Sequence, residues 1–153
     1  MGQRPDGSMT IPALFRERCQ GSPDRVALRA KEYGIYQEIT WRQYREHVRN
    51  AALAFIELGV QRGERVAIMG DPCPEWCYAD LGAQAAGAIT YGIYSTSSAS
   101  QVEYMLQNGQ AKVAVVEDQE YVDKILPLAG RLPALRRIIV VDTRAMFQYR
   151  DPR

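Results

Sequence analysis

This chain has few cysteines and histidines, and it has no large excess of either charge. It contains three cysteines and one histidine in 153 residues. These are too few for a disulfide scaffold, or for a four-ligand zinc site built only from those residues. Nineteen basic side chains face eighteen acidic ones. A nucleic-acid-binding protein needs a basic excess on one face, and an anionic lipid surface attracts basic segments, so this balance disfavours both partners.

A long hydrophobic run is also missing. The most apolar stretch, Leu81 to Ile93, has about thirteen residues and is interrupted by Gln84 and three glycines, too short to span a bilayer. Residues 1–10 are polar and lack the apolar core of a signal peptide. We therefore expect residues 1–9 to form a disordered leader, and the protein to have no transmembrane segment and to be cytoplasmic, with a peripheral position at the membrane as the alternative.

The first part of the chain carries clear helix and strand signals. Thr10 can cap a short helix, and two short strands are predicted over 26–30 and 35–40, with a turn at Gly34 between them. Thr40 and Gln43 form a capping box, and Gly59 suits the end of the helix that follows. That helix carries one apolar stripe: Trp41, Tyr44, Val48, Ala51, Ala52, Phe55 and Leu58.

From Arg65 onward, strands and helices alternate. Strands are predicted over 66–69, 88–91, 112–116 and 137–141. Between them, helices are predicted over 72–86, 100–109 and 121–129, the second of them with a capping box from Ser100 to Glu103. This spacing is typical of β-α-β crossovers. The predicted fold class is α/β, with a mostly parallel sheet and helices on both faces.

Ligands of such sheets bind outside the carboxyl ends of the strands. The residues after the second strand of the sheet are rich in tyrosine and hydroxyl groups, which can form a binding lip or can serve only as strand end and helix cap. The candidate wall of a substrate site consists of Tyr91, Tyr94, Ser95, Thr96 and Trp76.

Other candidate chemistry is weak. No lysine follows a glycine loop of the P-loop kind, and the turn Met69-Gly70-Asp71-Pro72 lacks the glycines of a dinucleotide fingerprint. We therefore assign no catalytic, cofactor-binding or metal-binding residue. Cys73 and Cys77 are interpreted as small buried hydrophobes, and His47 as a surface or boundary residue.

Several motifs, in order, resemble the adenylate-forming superfamily of acyl-CoA synthetases and luciferases. They are Ile39-Thr40-Trp41-Arg42-Gln43-Tyr44, Gly59-Val60-x-x-Gly63-x-Arg65-Val66-Ala67-Ile68, Pro74-Glu75-Trp76, Ala86-Gly87-Ala88-Ile89, Tyr104-Met105-Leu106 and Ala111-Lys112-Val113. The resemblance covers residues 10–142. Asp71-Pro72-Cys73 departs from the family's usual asparagine before the Pro-Glu-Trp motif. Gly92-Ile93-Tyr94-Ser95-Thr96 is similar to the "G-I-Y-x-T" version found in long-chain fatty-acid–CoA ligases.

The resemblance implies an N-terminal α/β subdomain over 10–142 and a truncated tail over 143–153. The complete enzyme would join a fatty acid to ATP with Mg²⁺, then pass the acyl group to coenzyme A. The family's triphosphate loop, adenine-binding segment and catalytic lysine would all lie after Arg153, so we expect this segment to be inactive alone. Its partners would be the remainder of the ligase chain or a partner subunit. The alternative is a self-standing α/β binding or interaction module. A Rossmann-type dehydrogenase piece is disfavoured by the missing glycine fingerprint.

Overall fold

The computed structural model describes residues 9–147 and 149. Residues 1–8 of the expected leader, and residues 148 and 150–153 of the expected tail, lie outside the described residues.

A helix and a β-hairpin form the N-terminal part of the fold. Helix α1 (Ile11–Gly21) is capped by the Thr10 side chain, which accepts a hydrogen bond from the Ala13 N–H. Strands β1 (Val26–Glu32) and β2 (Ile35–Thr40) pair antiparallel. Tyr33 and Gly34 between them both have positive φ, 46° and 85°, which suits the right-handed twist of a two-residue hairpin.

Helix α2 (Trp41–Glu57) begins at the predicted capping box. The Thr40 hydroxyl accepts the Gln43 N–H at 3.3 Å, and the Gln43 side chain accepts the Thr40 N–H at 2.9 Å. Gly59, with φ of 78°, follows the end of the helix. The capped helix predicted from this pattern is confirmed.

Four parallel strands form the main sheet: β3 (Arg65–Met69), β4 (Ile89–Ile93), β5 (Ala111–Val116) and β6 (Arg137–Val140). Their spatial order is β4-β3-β5-β6. Helix α3 (Pro74–Ala85) connects β3 to β4, and helix α4 (Ala99–Gly109) connects β4 to β5. Helix α5 (Gln119–Ile125) and a 3₁₀-helix (Leu126–Arg131) lie between β5 and β6.

The sheet is covered on both faces, which confirms the predicted fold class. Ala67, Met69 and Ile93 pack with α4 and α5 on one face. Val66 and Ile68 pack with α2 and α3 on the other. Because both faces are buried, β3 and β5 read as nearly continuous apolar runs. A third cluster joins α1, α2, α3 and the hairpin around Tyr44, Val48 and Tyr78.

Several local predictions differ from the structure. The second capping box belongs to Ser98 and Gln101, so Ser100 lies inside the first turn of α4. The helix predicted over 121–129 starts earlier and changes to 3₁₀ geometry at Leu126, because Pro127 cannot donate the backbone hydrogen bond that an α-helix needs. Strand β4 lies at 89–93 instead of 88–91.

Candidate functional site

All four parallel strands end at one edge of the sheet. Met69 at the end of β3 lies opposite Ile93 of β4 and Val116 of β5, and Val116 lies opposite Val140 of β6. The loops that begin at 70, 94, 117 and 141 therefore meet at one level. From β3 the chain passes to β4 on one side of β3, and from β4 it crosses over to β5 on the other side. The point between β3 and β5, where the direction reverses, is the expected binding crevice of an open α/β sheet.

Glu117 lies at this crevice and fixes its geometry. The Asp71 N–H donates to Glu117 Oε2 at 2.6 Å, and the Glu117 N–H donates to the Met69 carbonyl at 3.1 Å. A Cβ atom at Gly70 would lie 2.7 Å from the Glu117 Cβ. Only glycine therefore allows the two strand ends to come this close. The crevice is filled by a carboxylate, with a second one, Asp71, beside it.

The loop after β4 is held from below by α5. Lys124 Nζ donates to the Ser95 carbonyl at 3.3 Å and to Glu120 Oε1 at 2.8 Å. The same ammonium lies 5.0 Å from the centre of the Tyr121 ring. Within the loop, Tyr94 has an exposed fraction of 81%, and Thr96 is also exposed. The loop thus presents an aromatic and a hydroxyl side chain outward from a backbone tied to α5.

Burial raises the pKa of the Tyr121 phenol. The carboxylates of Asp71, Glu117 and Glu120 raise this pKa further, and the Ser95 side chain lowers it. Tyr121 is therefore a neutral, buried residue, 7% exposed, whose ring lies beside the Lys124 ammonium.

The structure does not bring all five predicted site residues together. Tyr94, Ser95 and Thr96 share the loop after β4. Tyr91 turns to the α4 face of the sheet, where its hydroxyl donates to the Met105 carbonyl at 3.2 Å and burial raises its pKa to about 12. Trp76 belongs to the opposite face and packs against Gly92, where a Cβ would lie 3.4 Å from the indole.

Trp76 also lines a groove between the hairpin and the start of α3. The groove has a volume of about 570 Å³. Its lining is mostly apolar and includes two cations of β1, Arg29 and Lys31. The lining residues are Leu28, Arg29, Ala30, Lys31, Pro72, Cys73, Pro74, Trp76 and Cys77. Sequence analysis missed this groove, because no spacing pattern links residues 28–31 to residues 72–77.

The two thiols in the groove are poor nucleophiles at neutral pH. Burial is the largest cause that raises the pKa of both Cys73 and Cys77, and the thiolate is the reactive form. The groove can accommodate an apolar group, but its side chains supply no activated nucleophile. His47 is exposed on α2, with its ring stacked 4.5 Å from that of Tyr78.

Among the described residues, no helix combines the length and the apolar character needed to cross a bilayer.

The hairpin followed by a parallel sheet with helices on both faces defines a unit of the α/β class, and solved acyl-CoA ligases share it. The anthranilate CoA ligase AuaEII, crystallised with anthranoyl-AMP, is 28% identical, with a TM-score of 0.77 over 84% of this chain and 24% of that chain. The coronafacic acid ligase of Pectobacterium brasiliense has a TM-score of 0.81 over 92% of this chain and 27% of that chain; at 16% identity it shows the fold alone.

The chain belongs to the family of AMP-binding enzymes, whose model matches residues 15–152. The predicted resemblance to adenylate-forming enzymes is thereby confirmed. The long-chain-fatty-acid–CoA ligase ACSBG2 of Xenopus laevis is 40% identical over 143 residues, 94% of this chain and 18% of the relative. The long-chain-fatty-acid–CoA ligase FadD15 of Mycobacterium tuberculosis is 34% identical over 131 residues, 86% of this chain and 22% of the relative. The chain thus spans about a fifth of the length of the curated relatives it matches.

Proposed function

We propose that this chain is the N-terminal part of an ATP-dependent long-chain fatty-acid–CoA ligase. The observation that carries this proposal is the 40% identity to a long-chain-fatty-acid–CoA ligase over 94% of the chain. The tyrosine-containing loop after β4, which resembles the version found in long-chain ligases, supports the same substrate class. Within this part, we propose that residues 10–142 form the α/β subdomain, with residues 1–9 as a leader and residues 143–153 as a truncated tail. That remainder, or a partner subunit that supplies it, is the proposed partner.

ATP, Mg²⁺ and coenzyme A would serve the complete enzyme, but the crevice of this segment does not fit a triphosphate. A triphosphate needs N–H donors and cations around its oxygens. The crevice instead presents the carboxylates of Glu117 and Asp71, and the Asp71 N–H is already used by Glu117. The nearby Lys124 is paired with Glu120 at 2.8 Å. These residues therefore offer no site for the triphosphate, and we propose that the segment is inactive alone.

Pyrophosphate–ATP exchange in the presence of palmitate and Mg²⁺ tests this proposal. We expect no palmitate-dependent exchange from the isolated 153-residue chain, while a full-length long-chain ligase assayed in parallel gives a clear signal. Palmitate-dependent exchange by the isolated chain would show that these residues form a complete adenylation site. It would overturn the proposal that the segment is inactive without the rest of the ligase.

The loop residues Tyr94, Ser95 and Thr96 would form one wall of the acyl site, with Trp76 at its edge. Tyr91 would support this wall from β4, where it packs against α4. The exposed fraction of Tyr94 is 81%, so its ring is free to contact an acyl chain. In the complete ligase, Tyr94→Ala should change the preference between medium and long acyl chains. An unchanged preference would remove Tyr94 from the site. We also propose a cytoplasmic location with peripheral membrane contact, because long acyl chains partition into bilayers; cell fractionation tests this.

A self-standing interaction module is the second candidate. It is favoured by the edge position of β4, where the exposed fraction of Ile89 is 56%, since an unprotected sheet edge can pair with another strand. The coding sequence after Arg153 discriminates the two. An in-frame Gly-rich loop with lysine supports the ligase, whereas a stop codon followed by unrelated sequence supports the module.

A further inference from the structure

We propose that Lys124 and Tyr121 are positioning residues that hold the loop of residues 94–98 in place, so that Tyr94 and Thr96 face the acyl site. This inference rests on the proposed function, because it gives a role to two α5 residues in shaping that site. Neither residue belongs to the motifs that carry the family resemblance.

The first observation is the contact between α5 and the middle of the loop. Lys124 Nζ reaches the Ser95 carbonyl at 3.3 Å, although the two residues lie 29 positions apart in sequence. The side chain of Lys124 has an exposed fraction of only 27%, so this contact is partly shielded from water. A charged donor to a carbonyl in such a place is stronger than an exposed ion pair.

The second observation is that Lys124 is itself held in position. Glu120, one helical turn earlier, accepts its ammonium at 2.8 Å, and a glutamate four residues before a lysine is the favourable orientation on a helix. The Tyr121 ring lies 5.0 Å from the same ammonium. The Lys124 side chain is therefore already restricted, so its contact with the loop costs little further conformational entropy.

The third observation concerns how the rest of the loop is fixed. Its start is tied to β3 through the Ile93–Met69 pair, and its end is the Ser98 cap of α4. Between them, a turn is closed by the Ser97 N–H donating to the Tyr94 carbonyl at 3.0 Å. The Ser95 carbonyl, inside this turn, accepts a hydrogen bond from Lys124 at 3.3 Å. Helix α5 thus supplies the support for the middle of the loop.

Amide hydrogen exchange of the 153-residue chain tests the contact directly. Lys124→Met keeps the length of the side chain and removes the donor. Because the Ser97 N–H is hydrogen-bonded to the Tyr94 carbonyl in the turn that Lys124 supports, we expect exchange of the Ser97 amide to accelerate at least about tenfold. Amides of β3 and β5 should keep their rates. Lys124→Arg should restore slow exchange, and Lys112→Met, on β5, is the matched control.

Unchanged exchange of the Ser97 amide in Lys124→Met would overturn the proposal. So would an equal acceleration in β3 and β5, since that is global destabilisation and not release of the loop. Tyr121→Leu should give a smaller acceleration at Ser97, because it removes the ring beside the Lys124 ammonium but keeps the bond from Lys124 to the Ser95 carbonyl; no acceleration would remove Tyr121 from the proposal.

The complete ligase separates a role in the site from a purely structural one. There, Lys124→Met should raise KM for the fatty acid about tenfold with kcat within about twofold, because a mobile loop weakens ground-state and transition-state binding alike. Lys124→Arg should recover the KM. A KM unaffected by Lys124→Met would overturn the role in the site. If the wild-type complete protein fails to activate fatty acids, the proposed function falls, whereas the exchange experiment still decides whether Lys124 holds the loop.

Discussion

Gly82 shows at the scale of one residue how closely two helices of this fold approach. A Cβ atom at this position would lie 2.6 Å from the Ala51 Cβ and 3.0 Å from the Ala52 nitrogen of α2. Such distances leave no room for a methyl group unless α2 and α3 move apart. The glycine is thus required by packing and not by backbone conformation.

Gly82→Ala should lower the free energy of unfolding. Overpacking of a close contact typically costs about 1–3 kcal/mol. Gly21→Ala, at the end of α1, is the control, because a Cβ there meets nothing within 4 Å. Urea unfolding should place Gly82→Ala about 1–3 kcal/mol below Gly21→Ala. Equal stability of the two variants would contradict the close packing of α2 on α3.

Buried tyrosines make stability depend on alkaline pH. Burial raises the pKa of Tyr78 and of Tyr91 to about 12, from an ordinary value of 10.0, and it also raises the pKa of Tyr44. Above pH 10 the unfolded chain loses these protons while the folded chain keeps them, so the unfolded chain binds fewer protons and stability falls as pH rises. The contribution is complete below pH 10 and is lost between pH 10 and about 12.

The free energy of unfolding, measured at several pH values, should therefore decline more steeply between pH 10 and 12 than between pH 7 and 9. Tyr91→Phe removes one of the responsible groups, and its curve should be shallower than that of the wild type above pH 10. It should also be less stable near neutrality, by about 0.5–1.5 kcal/mol, for loss of the hydrogen bond to the Met105 carbonyl. Parallel curves for the two proteins above pH 10 would contradict the raised pKa.

At the scale of an element, the capping box of α2 links the hairpin to the helix. Thr40 is both the last residue of β2 and the N-cap of α2. Its hydroxyl and the Gln43 side chain each satisfy one backbone N–H that the helix leaves free. No loop separates the two elements, so the cap also fixes the angle at which the strand enters the helix.

Thr40→Ala should destabilise the chain by about 1 kcal/mol, the usual effect of removing an N-cap hydroxyl. Thr40→Ser keeps the hydroxyl and should lie within about 0.5 kcal/mol of the wild type. Urea unfolding followed by circular dichroism measures both. If serine were as damaging as alanine, the methyl group of Thr40 and not its hydroxyl would be the important feature.

Most elements could be predicted from the sequence because helix and strand periodicity and capping residues are local signals. The capped α2 and the alternation from Arg65 onward follow from them. The placement of Trp76 and Tyr91 could not, because it depends on the strand order. Since β4 lies on one side of β3 and β5 on the other, right-handed crossovers put α3 and α4 on opposite faces. No periodicity in the sequence indicates the order of the strands or the contact between Lys124 and Ser95.

At the scale of the whole molecule, α2 and α3 connect the hairpin to the sheet. Helix α2 contributes Tyr44 and Val48 to the cluster beside the hairpin and Phe55 to the cluster on the sheet. Helix α3 does the same with Tyr78 and Ala83. Since two helices are shared between the clusters, neither cluster can lose its packing without exposing apolar surface in the other. The described fold should therefore unfold as one unit.

The two tryptophans test this cooperativity, because each lies in a different cluster. Trp41 packs near Phe15 and Tyr44 beside the hairpin, whereas Trp76 packs on the sheet. In Trp76→Phe, fluorescence reports only Trp41, and in Trp41→Phe it reports only Trp76. Within each variant, the urea transition seen by fluorescence should coincide with the transition seen by far-ultraviolet circular dichroism. A Trp41 transition that precedes loss of helix and strand in the same protein would show that the hairpin separates first, and that α2 and α3 do not join the clusters into one cooperative structure.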